Sequence, residues 1–179
     1  MAPKRITPTS LDNAALFYLQ RFASSAANLR RVLLRRIDKA ARLMEDEEAA
    51  EALRTQGSDW VEALIERYRR SGLLDDATYA EARARSLHRR GAPLKAIAQG
   101  LRIKGVDADT ASETLDRLRE EHPDADLSAA LAFARRRRLG PFRPAELRAQ
   151  HRDKDLAAMG RAGFSYELAR KVVEMEEEG

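Results

Sequence analysis

Apolar residues recur along this chain every three or four positions, in short runs that end at glycine, proline or serine. Such spacing places them on one face of a helix, whereas the alternation expected of a half-buried strand is scarce. The runs that carry the clearest stripes are Ala15, Leu16, Leu19, Phe22 and Ala23, then Leu29, Val32, Leu33 and Ile37, and then Trp60, Val61, Leu64, Ile65 and Tyr68. The pattern therefore predicts that nearly all of the ordered chain is helical.

Residues that start and stop helices punctuate these stripes. Ser24 and Ser25 offer a cap for the second helix, and Ser58 or Asp59 is predicted to cap the helix that begins near Trp60. Gly72 suits the left-handed residue that closes a helix, and Asp75 or Asp76 then caps the next one. The acidic block 45–48 is predicted to be either a solvated helix face or an exposed connection.

An internal repeat organises the second half of the chain. The residues Gly105, Val106, Thr110, Thr114 and Leu115 match Gly163, Phe164, Leu168, Val172 and Val173 at a constant offset of 58. Units of this size cannot bury a core alone, so neighbouring units must stack. We expect an all-α, elongated and curved array of three tandem three-helix repeats. The predicted division is a flexible N-terminus at 1–12, repeat one at 13–72 with an acidic insertion at 38–59, repeat two at 73–122 and repeat three at 123–179.

Composition and the absence of certain motifs argue against several classes of function. The chain has no cysteine, and His88, His122 and His151 stand apart from any spaced ligand set, so we expect no metal and no other cofactor. No phosphate-binding loop or nucleophile elbow is present, which argues against an enzyme. No apolar run is long enough to span a membrane, and the N-terminus does not resemble a signal peptide. We therefore expect a cytoplasmic protein. We also expect it to be a monomer.

Arginine is the most distinctive feature of the charge distribution. Charged residues make up 35% of the chain and the formal net charge is +4, but the cations cluster at helix ends. The candidate protein-binding or DNA-binding residues are Arg83, Arg85, Arg89, Arg90, Arg102, Lys104, Arg135, Arg136, Arg137 and Arg138. They could simply be solvated and favour the negative helix ends. Their recurrence in successive units instead favours a continuous positive surface suited to phosphate or carboxylate groups.

Four segments together resemble the RecX family of recombination regulators. They are the GLLDD turn at 72–76 with the following Tyr79-Ala80-Glu81, the ARSLHRRG ending at 84–91, LRIKGVD at 101–107 and AGFSYELARKVV at 162–173. The resemblance covers about residues 13 to 176. Departures from the family pattern are the long acidic segment 38–59, the interruption at 140–144 and the first unit's missing turn glycine, in whose place Ile37 stands.

The resemblance implies a partner that residue spacing alone does not supply. RecX proteins bind the RecA recombinase filament on single-stranded DNA and limit its growth or promote its disassembly. They thereby reduce ATP hydrolysis, strand exchange and coprotease activity, so the resemblance implies a part in recombination, repair and the SOS response. Contact with single-stranded DNA would run through the filament, with direct contact a further option. Two alternatives stay open, a stand-alone helix-turn-helix DNA-binding protein and a purely structural helical adaptor.

Overall fold

The computed structural model describes residues 5–175, and within this range every regular element is helical. The helices are α1 (Pro8–Leu19), α2 (Ala26–Ala41), α3 (Glu47–Arg70), α4 (Asp76–Arg89), α5 (Leu94–Ile103), α6 (Ala108–Glu121), α7 (Ala125–Arg137), α8 (Ala145–Ala162) and α9 (Tyr166–Val173), with a 3-10 turn at Gly140–Phe142. The all-α prediction is confirmed. None of those described helices combines the length and the apolarity needed to cross a bilayer.

The chain divides into two compact units. The first contains the described part of 1–79 together with 104–106, and the second contains 80–103 and the described part of 107–179. The boundaries proposed for the three repeats remain a prediction, and the two units are described separately below.

Helices α1, α2 and α3 build the core of the first unit. Their buried faces meet through Leu11, Leu29, Leu33, Ile37 and Ile65, each of which is at most 1% exposed. Because the three stripes recur at helical spacing, each helix buries one face and leaves the other to charged residues.

Helix α3 is longer than the sequence predicts. It begins at Glu47, where the Asp46 carboxylate accepts hydrogen bonds from the amides of Glu48 (3.0 Å) and Ala49 (3.1 Å). The predicted cap at Ser58 or Asp59 is therefore wrong, because both residues lie inside the helix. The acidic block supplies the cap and the first turn, where negative charge favours the helix end.

Gly57 explains why the middle of α3 resembles a helix boundary. It is buried in α3 against α2, and a β-carbon at this position would lie 2.8 Å from Cδ1 of Ile37. Glycine here is a packing requirement between two helices and not a helix terminator. Part of the predicted acidic insertion at 38–59 is therefore the first half of a core helix.

Helix α1 starts earlier than expected. Thr7 and Ser10 form a reciprocal capping box, and Pro8 occupies the first turn, where its missing amide hydrogen is tolerated. Leu11 is fully buried, so the flexible N-terminus predicted for 1–12 is wrong for the helical residues 8–12, while residues 1–4 lie outside the described range. The predicted inward stripe is also wrong at Leu16 and Phe22, which are 39% and 55% exposed, and at Ala23, which is exposed too.

One carboxylate and one serine fasten the first unit around the start of α2. Ser25 caps α2 as predicted, accepting from the Asn28 amide at 3.2 Å, and its hydroxyl donates to the carbonyl of Lys104. Asp76 accepts from the Ala26 amide at 2.7 Å, while Asp75 caps α4 through the Thr78 amide at 3.0 Å. The capping role predicted for Asp75 or Asp76 therefore belongs to Asp75.

Tyr68 gives the first unit a pH-dependent contact. Its ring is 4% exposed and its hydroxyl donates to the Asp12 carboxylate at 2.5 Å. Burial first, and the Asp12 hydrogen bond second, raise the pKa of Tyr68 to about 12. Since this folded-state pKa lies above the ordinary value of 10.0, the contribution to stability is complete below that value and is lost as pH rises through the folded value.

We expect the free energy of unfolding to fall as the pH is raised from 10.0 towards the folded-state pKa of about 12. Tyr68→Phe should flatten this part of the profile, because the proton that unfolding releases is no longer present. Urea unfolding followed by circular dichroism at a series of alkaline pH values measures how steeply the free energy of unfolding falls with pH in wild type and in Tyr68→Phe. Tyr166→Phe is the matched control, since Tyr166 is exposed. Equal slopes for wild type and Tyr68→Phe would contradict the assignment.

The second unit contains a buried polar anchor next to the 3-10 turn. Asp155 of α8 is 2% exposed, and its carboxylate accepts from the Gly140 amide at 2.9 Å and from Arg143 at 2.8 and 3.2 Å. The interruption at 140–144 is therefore an ordered turn held against α8. Small buried residues of α7, such as Ala130 and Ala134, let α9 pack closely beside this turn.

Candidate binding surfaces

The predicted basic residues fall into environments that differ in how far their charge is already neutralised. Arg83, Arg85 and Arg89 belong to α4, Arg90 follows it, and Arg102 lies near the end of α5. Residues 135–137 end α7 and Arg138 caps it, whereas Lys104 belongs to the first unit. Across the described part of the chain, no group of three or more side chains could hold a metal ion.

Arg85 is paired inside the second unit. Its guanidinium lies 2.8 Å from the Glu121 carboxylate of α6 and 3.9 Å from Glu81 of its own helix. The hydrogen bond between Arg85 and Glu121 raises the pKa of Arg85 and lowers that of Glu121. Arg117 of α6 also pairs with Glu81. Arg85 thus links α4 to α6 and has less charge to offer an external partner.

Arg83 presents a different situation on the same helix. Its side chain is partly buried, and its Nε atom has no hydrogen-bond partner within residues 5–175. A buried guanidinium nitrogen without a partner costs free energy. Contact between Arg83 and an external acceptor therefore stays a prediction, because the buried Nε would have to move to reach one.

The ends of α4 and α7 meet, and we call four of the arginines that they carry the arginine corner: Arg89, Arg90, Arg136 and Arg137. The Arg136 guanidinium donates to the carbonyl of Arg90, which brings the two helix ends into contact. The guanidinium carbons of Arg136 and Arg137 lie 5.8 and 5.7 Å from the centre of the Phe133 ring. All four side chains are exposed, and in the described structure no carboxylate forms an ion pair with them. The corner is therefore a concentration of uncompensated positive charge.

Each of the other predicted residues has its own local surroundings. Arg135 lies over Phe142, with 5.2 Å between its guanidinium carbon and the ring centre. Arg138 ends α7 with a φ of 54°, and Arg102 is exposed on α5. Lys104 contributes its carbonyl to the cap of α2. The continuous surface across all ten residues stays a prediction.

Sequence reasoning missed a second surface, on the first unit. An open groove of about 660 Å³ lies between α1 and α2. Its lining residues are Ser10, Asn13, Ala14, Phe17, Tyr18, Arg21, Phe22, Val32, Leu33, Arg35, Arg36 and Lys39. We call it the aromatic groove. The Thr7-Pro8 start of α1 was the available signal, because a helix that begins there buries Leu11 and Ala15 and turns Phe17 outward.

Comparison with known proteins identifies relatives along almost the whole chain. The model of the family described as RecX, second three-helix domain, matches residues 75–115. The regulatory protein RecX of Myxococcus xanthus is 43% identical over 173 residues, which covers 96% of this chain and 88% of that protein. The regulatory protein RecX of Thermobifida fusca is 34% identical, covering 84% of this chain and 81% of the relative. No solved structure matches the chain. These similarities extend through the helices that build both units, and the chain therefore belongs to the RecX family.

Proposed function

We propose that this chain is a non-enzymatic regulator that binds RecA filaments on single-stranded DNA. Binding would limit filament growth or promote disassembly, and so reduce ATP hydrolysis, strand exchange and coprotease activity in the cytoplasm during DNA repair and the SOS response. The observation that carries this proposal is the 43% identity to a regulatory protein RecX across 96% of the chain. A relationship of that extent includes the surfaces of both units and not only one helical motif.

The arginine corner supplies the physical basis for contact with a filament. A nucleoprotein filament presents phosphate and carboxylate groups, and a guanidinium can bind either through two parallel hydrogen bonds. Arg89 and Arg90 are exposed and have no carboxylate partner within residues 5–175, so little internal pairing is lost on binding. Paired Arg85 would have to give up its contact with Glu121. We therefore place the filament contact at the corner and leave the other predicted residues as candidates.

The proposal predicts that purified protein slows the DNA-dependent ATP hydrolysis of RecA at amounts below one copy per RecA. The double variant Arg89→Glu with Arg90→Glu should need roughly tenfold or more protein for half inhibition, because each reversal replaces an attraction by a repulsion. Steady-state ATPase measurements on single-stranded DNA, with protein titrated in, give both values.

The matched control is Lys154→Glu with Arg161→Glu on α8. Both residues are exposed cations without an ion pair among the described residues, so the control makes the same change in net charge outside the corner. Arg85 is left unchanged, since a glutamate there would face Glu81 and Glu121. Circular dichroism checks the fold of each variant. Absence of inhibition by wild type at equal amounts rules out the proposed function, and equal inhibition by both double variants rules out the corner.

A further inference from the structure

The aromatic groove combines exposed rings with positive charge and has no carboxylate among its lining residues. We infer that it binds single-stranded DNA directly, with bases stacked on Phe17 and Phe22 and the backbone phosphates held by the surrounding cations. The choice of DNA over RNA rests on the proposed function, whereas the choice of a single strand rests on the groove itself.

The exposure of the two rings is the first observation. The chain has five phenylalanines, and Phe17 and Phe22 are 56% and 55% exposed, whereas Phe164 is buried. A protein with so few aromatic residues would be expected to place them in its core, where each buries a large apolar area. Two rings left in solvent within one groove provide the flat, sequence-tolerant faces on which unpaired bases stack.

The rings are held in place by the unit behind them. Tyr18 packs against Phe22 with ring centres 5.2 Å apart, and its hydroxyl accepts from Asn28 Nδ2 at 3.0 Å. The same Asn28 amide group donates to Ser24 Oγ at 2.9 Å, and Ser24 is buried. A platform that is already ordered loses less conformational freedom on binding.

Positive charge lies beside the platform, from the turn after α1 and from α2. Arg21 lies over the Phe17 ring at 4.1 Å, and Arg35, Arg36 and Lys39 come from the facing side of α2. Within the described residues, no carboxylate forms an ion pair with any of these four. Arg30 on the same helix differs from these cations, because it forms an ion pair with Glu62 at 2.6 Å. Charge on this side of α2 is therefore available for phosphates.

The shape of the groove favours a single strand over other anionic partners. A duplex keeps its bases stacked on one another and offers no free base face to a phenylalanine. A docked peptide would place its apolar anchor in a socket that encloses it, whereas these rings are more than half exposed. A single strand satisfies both features at once, because its bases are free to stack and its phosphates lie nearby.

The test measures binding of the full chain to a fluorescent oligothymidylate by anisotropy, without RecA. Phe17→Ala with Phe22→Ala should weaken binding roughly tenfold or more, as expected for the loss of at least one stacked base. Leu43→Ala is the matched control, because Leu43 is 65% exposed and does not line the groove. Binding that is absent in wild type, or equal in wild type and the double variant, overturns the inference.

A second measurement separates stacking from charge. Arg36→Ala should reduce the slope of log affinity against log salt by about 0.7, the value for one phosphate contact to a single strand. Arg42→Ala, which removes an exposed charge at the end of the same helix outside the groove, should leave the slope unchanged. Phe17→Trp should retain binding and show fluorescence quenching on addition of the strand. No quenching, or equal slopes for the two arginine variants, counts against the groove.

Competition decides between ligands. Equal affinity for duplex DNA, or displacement of the strand by an acidic aromatic peptide at similar concentration, overturns the single-strand assignment. Equal affinity for a matched single-stranded RNA overturns the choice of DNA. Failure here is distinct from failure of the proposed function. If the protein inhibits RecA but does not bind the strand directly, only the proposal for the groove is rejected. If it binds the strand but does not inhibit RecA, only the proposed function is rejected.

Discussion

Asp155→Ala is expected to lower the free energy of unfolding of the second unit by about 3–5 kcal/mol, the range measured when one partner of a buried ion pair is removed. The Asp155 carboxylate is 2% exposed and accepts from both the Gly140 amide and the Arg143 guanidinium. Its removal leaves two donors without their acceptor beside a closely packed turn, and such unpaired groups cost more than the net value of the bonds. Urea unfolding followed by circular dichroism measures the loss.

Asp153→Ala is the matched control for Asp155→Ala. Asp153 lies on the same helix and pairs with Arg152 at 3.1 Å, but its side chain is 92% exposed, so its loss should cost well under about 1 kcal/mol. Asp155→Asn should fall between the two, because the amide oxygen can still accept from Gly140 while the charge opposite Arg143 is gone. If Asp155→Ala costs no more than Asp153→Ala, the carboxylate is not the anchor of this turn.

Local capping chemistry accounts for most of the fold that could be predicted. Ser25 and Asp107 each precede an apolar stripe, and each caps its helix by accepting from an amide three residues later. The repeat offset likewise places Ser165 at the start of α9, where it accepts from the Leu168 amide. These features depend on residues a few positions apart, so they can be read from sequence without knowledge of the packing.

Packing between distant helices explains what could not be predicted. Gly57 resembles a break until Ile37 of the neighbouring helix is seen against it, and Asp46 caps a helix that continues through that glycine. Phe22 continues the apolar spacing of α1 but lies beyond the last helical turn, which ends at Leu19, and therefore faces solvent. The spacing of apolar residues predicts which of them could share a helix face. Only those that lie before the helix ends do share it.

For the candidate surfaces too, the sequence shows which residues are present but not which distant residues they contact. The sequence reveals every arginine, but not that Arg85 is neutralised by Glu121 or that Arg136 reaches the carbonyl of Arg90. These partners are 36 and 46 residues away along the chain. Arginine spacing alone therefore includes Arg85, whose charge is already paired, together with the arginine corner, whose cations form no ion pair among the described residues.

Gly91→Ala is expected to separate the two helix ends that form the arginine corner. Gly91 has a φ of +78°, and a β-carbon there would lie 2.9 Å from both the Ala129 carbonyl and the Phe133 amide nitrogen of α7. Both are backbone atoms of a helix and cannot move aside easily. The clash with the added β-carbon is therefore removed only if the turn after α4 moves away from α7. We expect a loss of about 3 kcal/mol or more, since the left-handed strain of roughly 1–2 kcal/mol adds to the cost of overpacking.

Gly72→Ala isolates the strain from the clash. Gly72 has a similar φ of +75°, but no atom lies within 4 Å of the position that a β-carbon would take, so this variant should lose only roughly 1–2 kcal/mol. Urea unfolding compares the two losses, and the RecA ATPase assay compares their function under conditions where both variants are folded. Because only Gly91→Ala displaces Arg90 from Arg136, it alone should weaken inhibition. Equal losses of stability for the two variants would mean that the turn adapts without leaving α7, and equal inhibition would mean that the filament contact does not depend on the joined helix ends.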